Sequence, residues 1–187
     1  MRRVFLLSIA FVAAALSTGC SMVAPRYSPS LENVQKLKDA NVQSAKVGAF
    51  TATAGKANPK AISIRGSSLN SPYDGSYSRY LSEALKEELS LAGKLASDAQ
   101  IEVTGALQKN DIDAAGFKTG TGDIEARFVV TRSGNIRYDQ VKSIHDEWDS
   151  SFMGNVAIPR AQAQYPVMVQ KLLGLLYADP AFLAALK

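Results

Sequence analysis

Apolar positions recur along this chain with two periods, one helical and one of two. Tyr77, Leu81, Ala84, Leu85, Leu89 and Ala92 fall at helical spacing, while Ser82, Glu83, Lys86, Glu87 and Ser90 take the other side and Gly93 follows as a stop. That pattern predicts a helix over 77–92. Ile101, Val103, Gly105 and Leu107 alternate with Gln100, Glu102, Thr104 and Gln108, the pattern of a strand with one buried face. After a flexible 114–122 loop, Ile124, Ala126, Phe128 and Val130 repeat it. Ser133-Gly134-Asn135 then turns the chain into a third strand through Ile136, Tyr138, Ile144 and Trp148. The three strands are expected to form an antiparallel meander.

Upstream, Ala45–Thr53 around Val47 and Phe50, and Ala61–Arg65 after Asn58-Pro59, read as two further strands. Ser30 offers a cap for a short helix through Leu31, Val34 and Leu37, and Gly66–Gly75 reads as a surface loop. Pro159, at a first-turn position, opens a C-terminal helix lined by Ala161, Tyr165, Met168, Leu172, Leu173 and Leu176. Pro166 is expected to kink it, and Asp179-Pro180 to restart a short final helix through Phe182, Leu183 and Leu186. The order is ββαβββα. It predicts an α+β domain over residues 31–187, a mainly antiparallel sheet of about five strands with two amphipathic helices packed on one face.

The N-terminus follows a different rule. Arg2 and Arg3 precede a run from Val4 to Leu16 broken only by Ser8. At 13 residues the run is shorter than the roughly 20 needed to cross a bilayer, so residues 1–19 read as a secretory signal peptide. Cleavage after Ala24 would place Pro25 just past the cut and Met22 where a small residue is wanted. Ser17-Thr18-Gly19-Cys20 instead resembles the lipobox of bacterial lipoproteins, which implies that Cys20 is diacylated and becomes the new N-terminus, held to the membrane by its acyl groups, palmitate among them. Ser21 after the cysteine resembles lipoproteins sent to the outer membrane. Pro25, Pro29 and the serines of 21–30 then suggest a flexible tether.

Charge and composition narrow the chemistry. Loss of residues 1–19 removes Arg2 and Arg3 and takes the formal charge from +4 to +2, so the basicity is largely an addressing feature. The 168 residues left of 187 are enough to bury a core without disulfides, and Cys20 is the only cysteine. His145 is the only histidine, and neighbours on a strand point to opposite faces, so Asp146 cannot orient it as a catalytic triad requires. One histidine and no free thiol leave no metal constellation, and no cofactor motif is present. Gly116-Phe117-Lys118-Thr119-Gly120-Thr121-Gly122 has its lysine before the glycines and a strand after them, which suits a connector better than a phosphate loop. Arg127-Phe128 and Arg137-Tyr138 interleave base and aromatic, but Glu125 and Asp139 share those faces, so nucleic acid is not an expected partner. Trp148, Phe152 and Met153 beside Gly154 form an apolar, bendable cluster where a ligand or partner could dock.

A Val47-Gly48-Ala49-Phe50 strand, a helix entering with Tyr80-Leu81 and closing at Leu91-Ala92-Gly93, and an Ile101-Glu102-Val103-Thr104-Gly105 strand before a long meander resemble the small envelope lipoproteins of the YajG, CsgG and ABC-transport auxiliary groups. The resemblance spans about residues 45–178. It implies a periplasm-facing domain that binds other envelope components and carries no catalytic residue across. The expectation is a non-enzymatic binding or scaffold lipoprotein, an accessory subunit of a transport or surface-assembly complex. The alternative is a lipid or small-molecule carrier using the gap between sheet and last helix.

Overall fold

Strands β5 (Ile101–Asp113), β6 (Thr119–Arg132) and β7 (Asn135–Asp149) are the longest in the fold and pair as the antiparallel meander that their alternation predicts. The computed structural model describes residues 21–53 and 61–187; the signal segment 1–19 and Cys20 lie outside them. Before the meander come β1 (Ser21–Val23), α1 (Leu31–Asp39), β2 (Ala45–Ala52), β3 (Ala61–Ile64), β4 (Ser67–Asn70) and α2 (Tyr77–Leu91). After it come α3 (Gly154–Tyr177) and α4 (Pro180–Ala185). The fold is α+β and largely antiparallel. Among the described residues it has two sheets, ordered β1-β4-β3 and β2-β5-β6-β7.

Packing follows from which residues each period sends inward. Ile124, Ala126, Phe128 and Val130 of β6 are buried, whereas Arg127 points out and forms a forked pair with Asp139 of β7. Helix α2 starts at Ser76, whose Oγ accepts from Arg79 N at 3.2 Å, and buries Tyr77, Tyr80, Leu81, Ala84, Leu85 and Leu89. Helix α3 buries Tyr165, Met168, Leu172, Leu173 and Leu176. The two helices meet at a tyrosine seam: the Tyr165 ring lies 4.7 Å from that of Tyr77 and 5.0 Å from that of Tyr80. Beneath α3 one position of the sheet has no room for a side chain. A Cβ on Gly122 of β6 would come within 2.4 Å of Met168 Cε, so the absent side chain lets helix and sheet close up.

Several expectations require correction. The segment read as a tether is part of the fold from Ser21 onward. Strand β1 pairs in parallel with β4, Ala24 and Tyr27 are buried, and Tyr80 Oη donates to Pro25 O at 3.0 Å. Composition hid this because two buried side chains among prolines and serines suffice when backbone and hydroxyl groups supply the other contacts. The 66–75 loop contains β4, which leaves β3 through a two-residue turn at Arg65 (φ 49°) and Gly66 (φ 79°), a geometry in which both central residues have positive φ. The single sheet of about five strands is therefore two sheets, and β2 joins β5 in parallel, which needs the crossover that β3, β4 and α2 provide. The 114–122 connector is shorter, since β6 begins at Thr119. Helix α3 begins at Gly154, ahead of Pro159, and runs past both Pro159 and Pro166 as one element. The short helix at 31 and the restart at Asp179, whose Oδ1 accepts from Ala181 N at 2.8 Å, are as expected.

Candidate functional site

Trp148 packs against the core, whereas Phe152 and Met153 are exposed. Trp148 lies opposite Gly120 in the β6–β7 register, half-buried, with its ring where a Cβ on Gly120 would approach to 2.6 Å. Phe152 and Met153, on the connection into α3, are instead 67% and 58% exposed. Phe117, on the β5–β6 loop, is 73% exposed, and its ring stacks on Phe152 with centroids 5.1 Å apart and planes 11° from parallel.

The base of this aromatic pair is Arg65. From the β3–β4 turn its Nε donates to Ala114 O at 2.5 Å, Nη1 to Phe152 O at 2.6 Å, and Nη2 to Ser151 O at 2.9 Å and Gly116 O at 3.1 Å. One planar guanidinium thus holds the carbonyls of both loops in a fixed fork, which an ammonium could not do. Ser150 N donating to Lys118 O at 2.6 Å closes the same junction. Phe117 and Arg65 escaped the sequence reading, one inside an apparent connector and the other at a strand end. A large aromatic side chain in a glycine-rich loop was the available signal.

The polar candidates sit elsewhere. An open groove of about 720 Å³ runs between α1, α3 and β7, lined among others by Asn33, Lys36, Asp146, Gln170 and Lys171. Asp146 points inward, accepting from Gln164 Nε2 at 2.7 Å and pairing with Lys171. Burial pushes its carboxyl up, but Lys171 and Gln164 outweigh that and hold it below 3.8. His145 points the other way, as the two-residue period requires. Its Nδ1 is 2.9 Å from Asp123 Oδ1, and Lys109 Nζ is 3.0 Å from Asp123 Oδ2. The Asp123 hydrogen bond raises the His145 imidazole above 6.5. Among the described residues, no group of three or more His, Cys, Asp or Glu is placed to hold a metal ion.

Beneath the groove lies a fully buried carboxylate. Glu88 Oε1 on α2 accepts from Tyr27 Oη at 2.6 Å, Ser30 N at 3.0 Å and Asn33 Nδ2 at 3.2 Å. Asn33 Nδ2 also donates to Gln170 O at 2.9 Å, so the cluster pins the 27–33 segment to α2 and α3 together. Desolvation raises the Glu88 carboxyl, and the hydrogen bonds only partly offset it.

No family model matches the chain, and no curated protein matches it. Solved structures do share its fold. A Xanthomonas campestris protein described under the DUF330 family superposes with a TM-score of 0.57 over 84% of this chain and 95% of its own, at 14% identity. The Chlamydia trachomatis protein CT253 superposes with a TM-score of 0.51 over 77% of this chain and 99% of its own, at 11% identity. A minor lipoprotein from Acinetobacter baumannii aligns more loosely, with a TM-score of 0.42 at 9% identity over 73% of this chain and 91% of its own, and carries no weight.

Proposed function

We propose that the protein is a lipid-anchored binding lipoprotein of the bacterial envelope, facing the periplasm from the outer membrane and docking another envelope component without chemistry of its own. The observation that carries this reading is the junction at Cys20. An apolar secretory run ends in Gly19-Cys20, and an ordered strand begins at the next residue, Ser21. The fold shared with the Xanthomonas and Chlamydia proteins is compatible with the resemblance to envelope lipoproteins. No helix among the described residues is long and apolar enough to cross a membrane, so on this reading attachment rests on the acyl groups.

The carrier alternative places its ligand between the sheet and the last helix. Tyr165, Met168 and Leu172 fill the apolar part of that gap with no more than 1% of their surface exposed, and the groove left open beside β7 is lined by Asn33, Lys36, Asp146, Gln170 and Lys171, which suits docking better than carriage of an acyl chain. The test is labelled palmitate with membrane fractionation of wild type and Cys20→Ser, followed by crosslinking in intact envelopes. Label on wild type only, together with a stoichiometric crosslinked protein, is the expected result. An unlabelled wild-type chain overturns the anchor, and co-purified acyl chains without a protein favour the carrier.

A further inference from the structure

We infer that Phe117, Phe152 and Met153 form a second, non-covalent membrane contact, an apolar knuckle that rests in the headgroup and acyl boundary of the bilayer beside the acylated Cys20. The inference rests on the lipid-anchor reading for its geometry. Scattered exposed apolar side chains are ordinary on a protein surface, but three large ones from two loops, two of them stacked, are not. Arg65 binds the carbonyls of Phe152 and of Gly116, the residue before Phe117, so the loops that present the surface are held in place.

Position identifies the occupant. Ser21, the residue after Cys20, pairs with Ser68 on β4, and Ser67 follows the Arg65–Gly66 turn. The guanidinium that leaves this turn binds the carbonyls of Gly116 and Phe152. Further along the same course, Gln162 Nε2 donates to Val23 O at 2.6 Å and Gln170 Nε2 to Ser28 O at 2.6 Å. The 21–28 segment therefore runs with α3, and its beginning lies towards the first turns of that helix, where Phe152 and Met153 precede Gly154. Ser21 and the apolar knuckle share one end of the molecule. With β1 hydrogen-bonded in place, the link from acylated Cys20 to the body is a single residue, about 3.5 Å of reach. A body attached so closely must lay this end on the bilayer. Lys118 and Arg160 are exposed here along with Asp113 and Asp149, so the near-balanced charge leaves apolar burial as the driving interaction.

The test uses the full acylated chain, purified in detergent and reconstituted into phosphatidylethanolamine–phosphatidylglycerol vesicles. Acylation blocks Cys20, so Met153→Cys or Ile136→Cys accepts one polarity-sensitive fluorophore. Ile136, 65% exposed, stands at the opposite end of β7, roughly 40 Å away at strand spacing. The expected result is a blue-shifted Met153 label, shielded from iodide and quenched by nitroxide lipids, beside a water-like Ile136 label. Adding Phe117→Ser and Phe152→Ser should abolish the shielding with the melting temperature unchanged. If both labels stay water-like while the protein floats with the vesicles, the knuckle is overturned and the anchor stands. If the Met153 label is shielded in native envelopes and not in vesicles, the occupant is a protein and the inference fails. If wild-type protein takes up label at Cys20 and does not float, the anchor reading falls, and the inference with it.

Discussion

Glu88 shows how much one side chain can carry. Its carboxylate gathers donors from Tyr27, Ser30 and Asn33, residues 55 to 61 positions away in the chain. Glu88→Ala strands these groups in the interior and should cost about 2–5 kcal/mol of unfolding free energy in denaturant titration. The pH dependence has a definite sign. A carboxyl raised in the folded state contributes stability that is complete below its ordinary value of 4.5 and is lost as pH rises through the raised folded value. Glu88→Gln should therefore flatten that part of the melting temperature against pH. Arg65 is the second such residue. Arg65→Ala should cost about 1.5–3 kcal/mol, and hydrogen exchange should quicken at residues 114–118 and 150–153 alone. Arg65→Lys should not restore protection, since one ammonium cannot span carbonyls in both loops.

At the scale of elements, the N-terminal segment behaves as a structural part. Deleting residues 21–30 removes β1, the buried Ala24 and Tyr27, and two of the three donors that face Glu88, Tyr27 Oη and Ser30 N. The deletion should lower stability by several kcal/mol out of a total of about 5–15, seen as an early or absent cooperative transition. Helix α4 depends on Asp179, which caps it while Oδ2 accepts from Tyr138 Oη at 2.8 Å and from Lys142 Nζ at 2.6 Å. Lys142 leads in holding this carboxyl down, to about 2 against an ordinary 3.8. Its contribution is complete above 3.8 and lost as pH falls towards 2, and Asp179→Asn should remove that acid-side loss from thermal melts. The long elements were legible because one face is buried and periodicity records it, as along 77–92 and 101–107. Strand β4 was not, because Ser67, Ser68 and Asn70 look like loop and only Leu69 is fully buried. The same blindness hid the knuckle. Phe152 and Met153 stood out in the sequence together with Trp148, while Phe117 and the Arg65 that braces them come from distant segments that a linear reading cannot join.

For the whole molecule, the proposed role makes activity depend on docking. His145→Ala should accordingly leave function and expression intact, since the imidazole meets carboxylates on an open sheet face and activates no nucleophile in contact with it. Loss of function in that variant, with an unchanged melting curve, would point to chemistry. The folded 21–30 segment also sets how such a protein would find its partner. Ten residues of free chain would let an anchored body wander by roughly 17 Å and tumble as it did so. With those residues built into β1 and the pin around Glu88, an anchored body keeps one height and one tilt, and only translation in the membrane plane and spin about its normal remain. Its search becomes two-dimensional, and a partner need present its site at only one level above the lipid. Inserting a Ser/Gly spacer of about ten residues between Cys20 and Ser21 would restore the lost freedoms. The domain should melt as before, and crosslinking to the partner should fall.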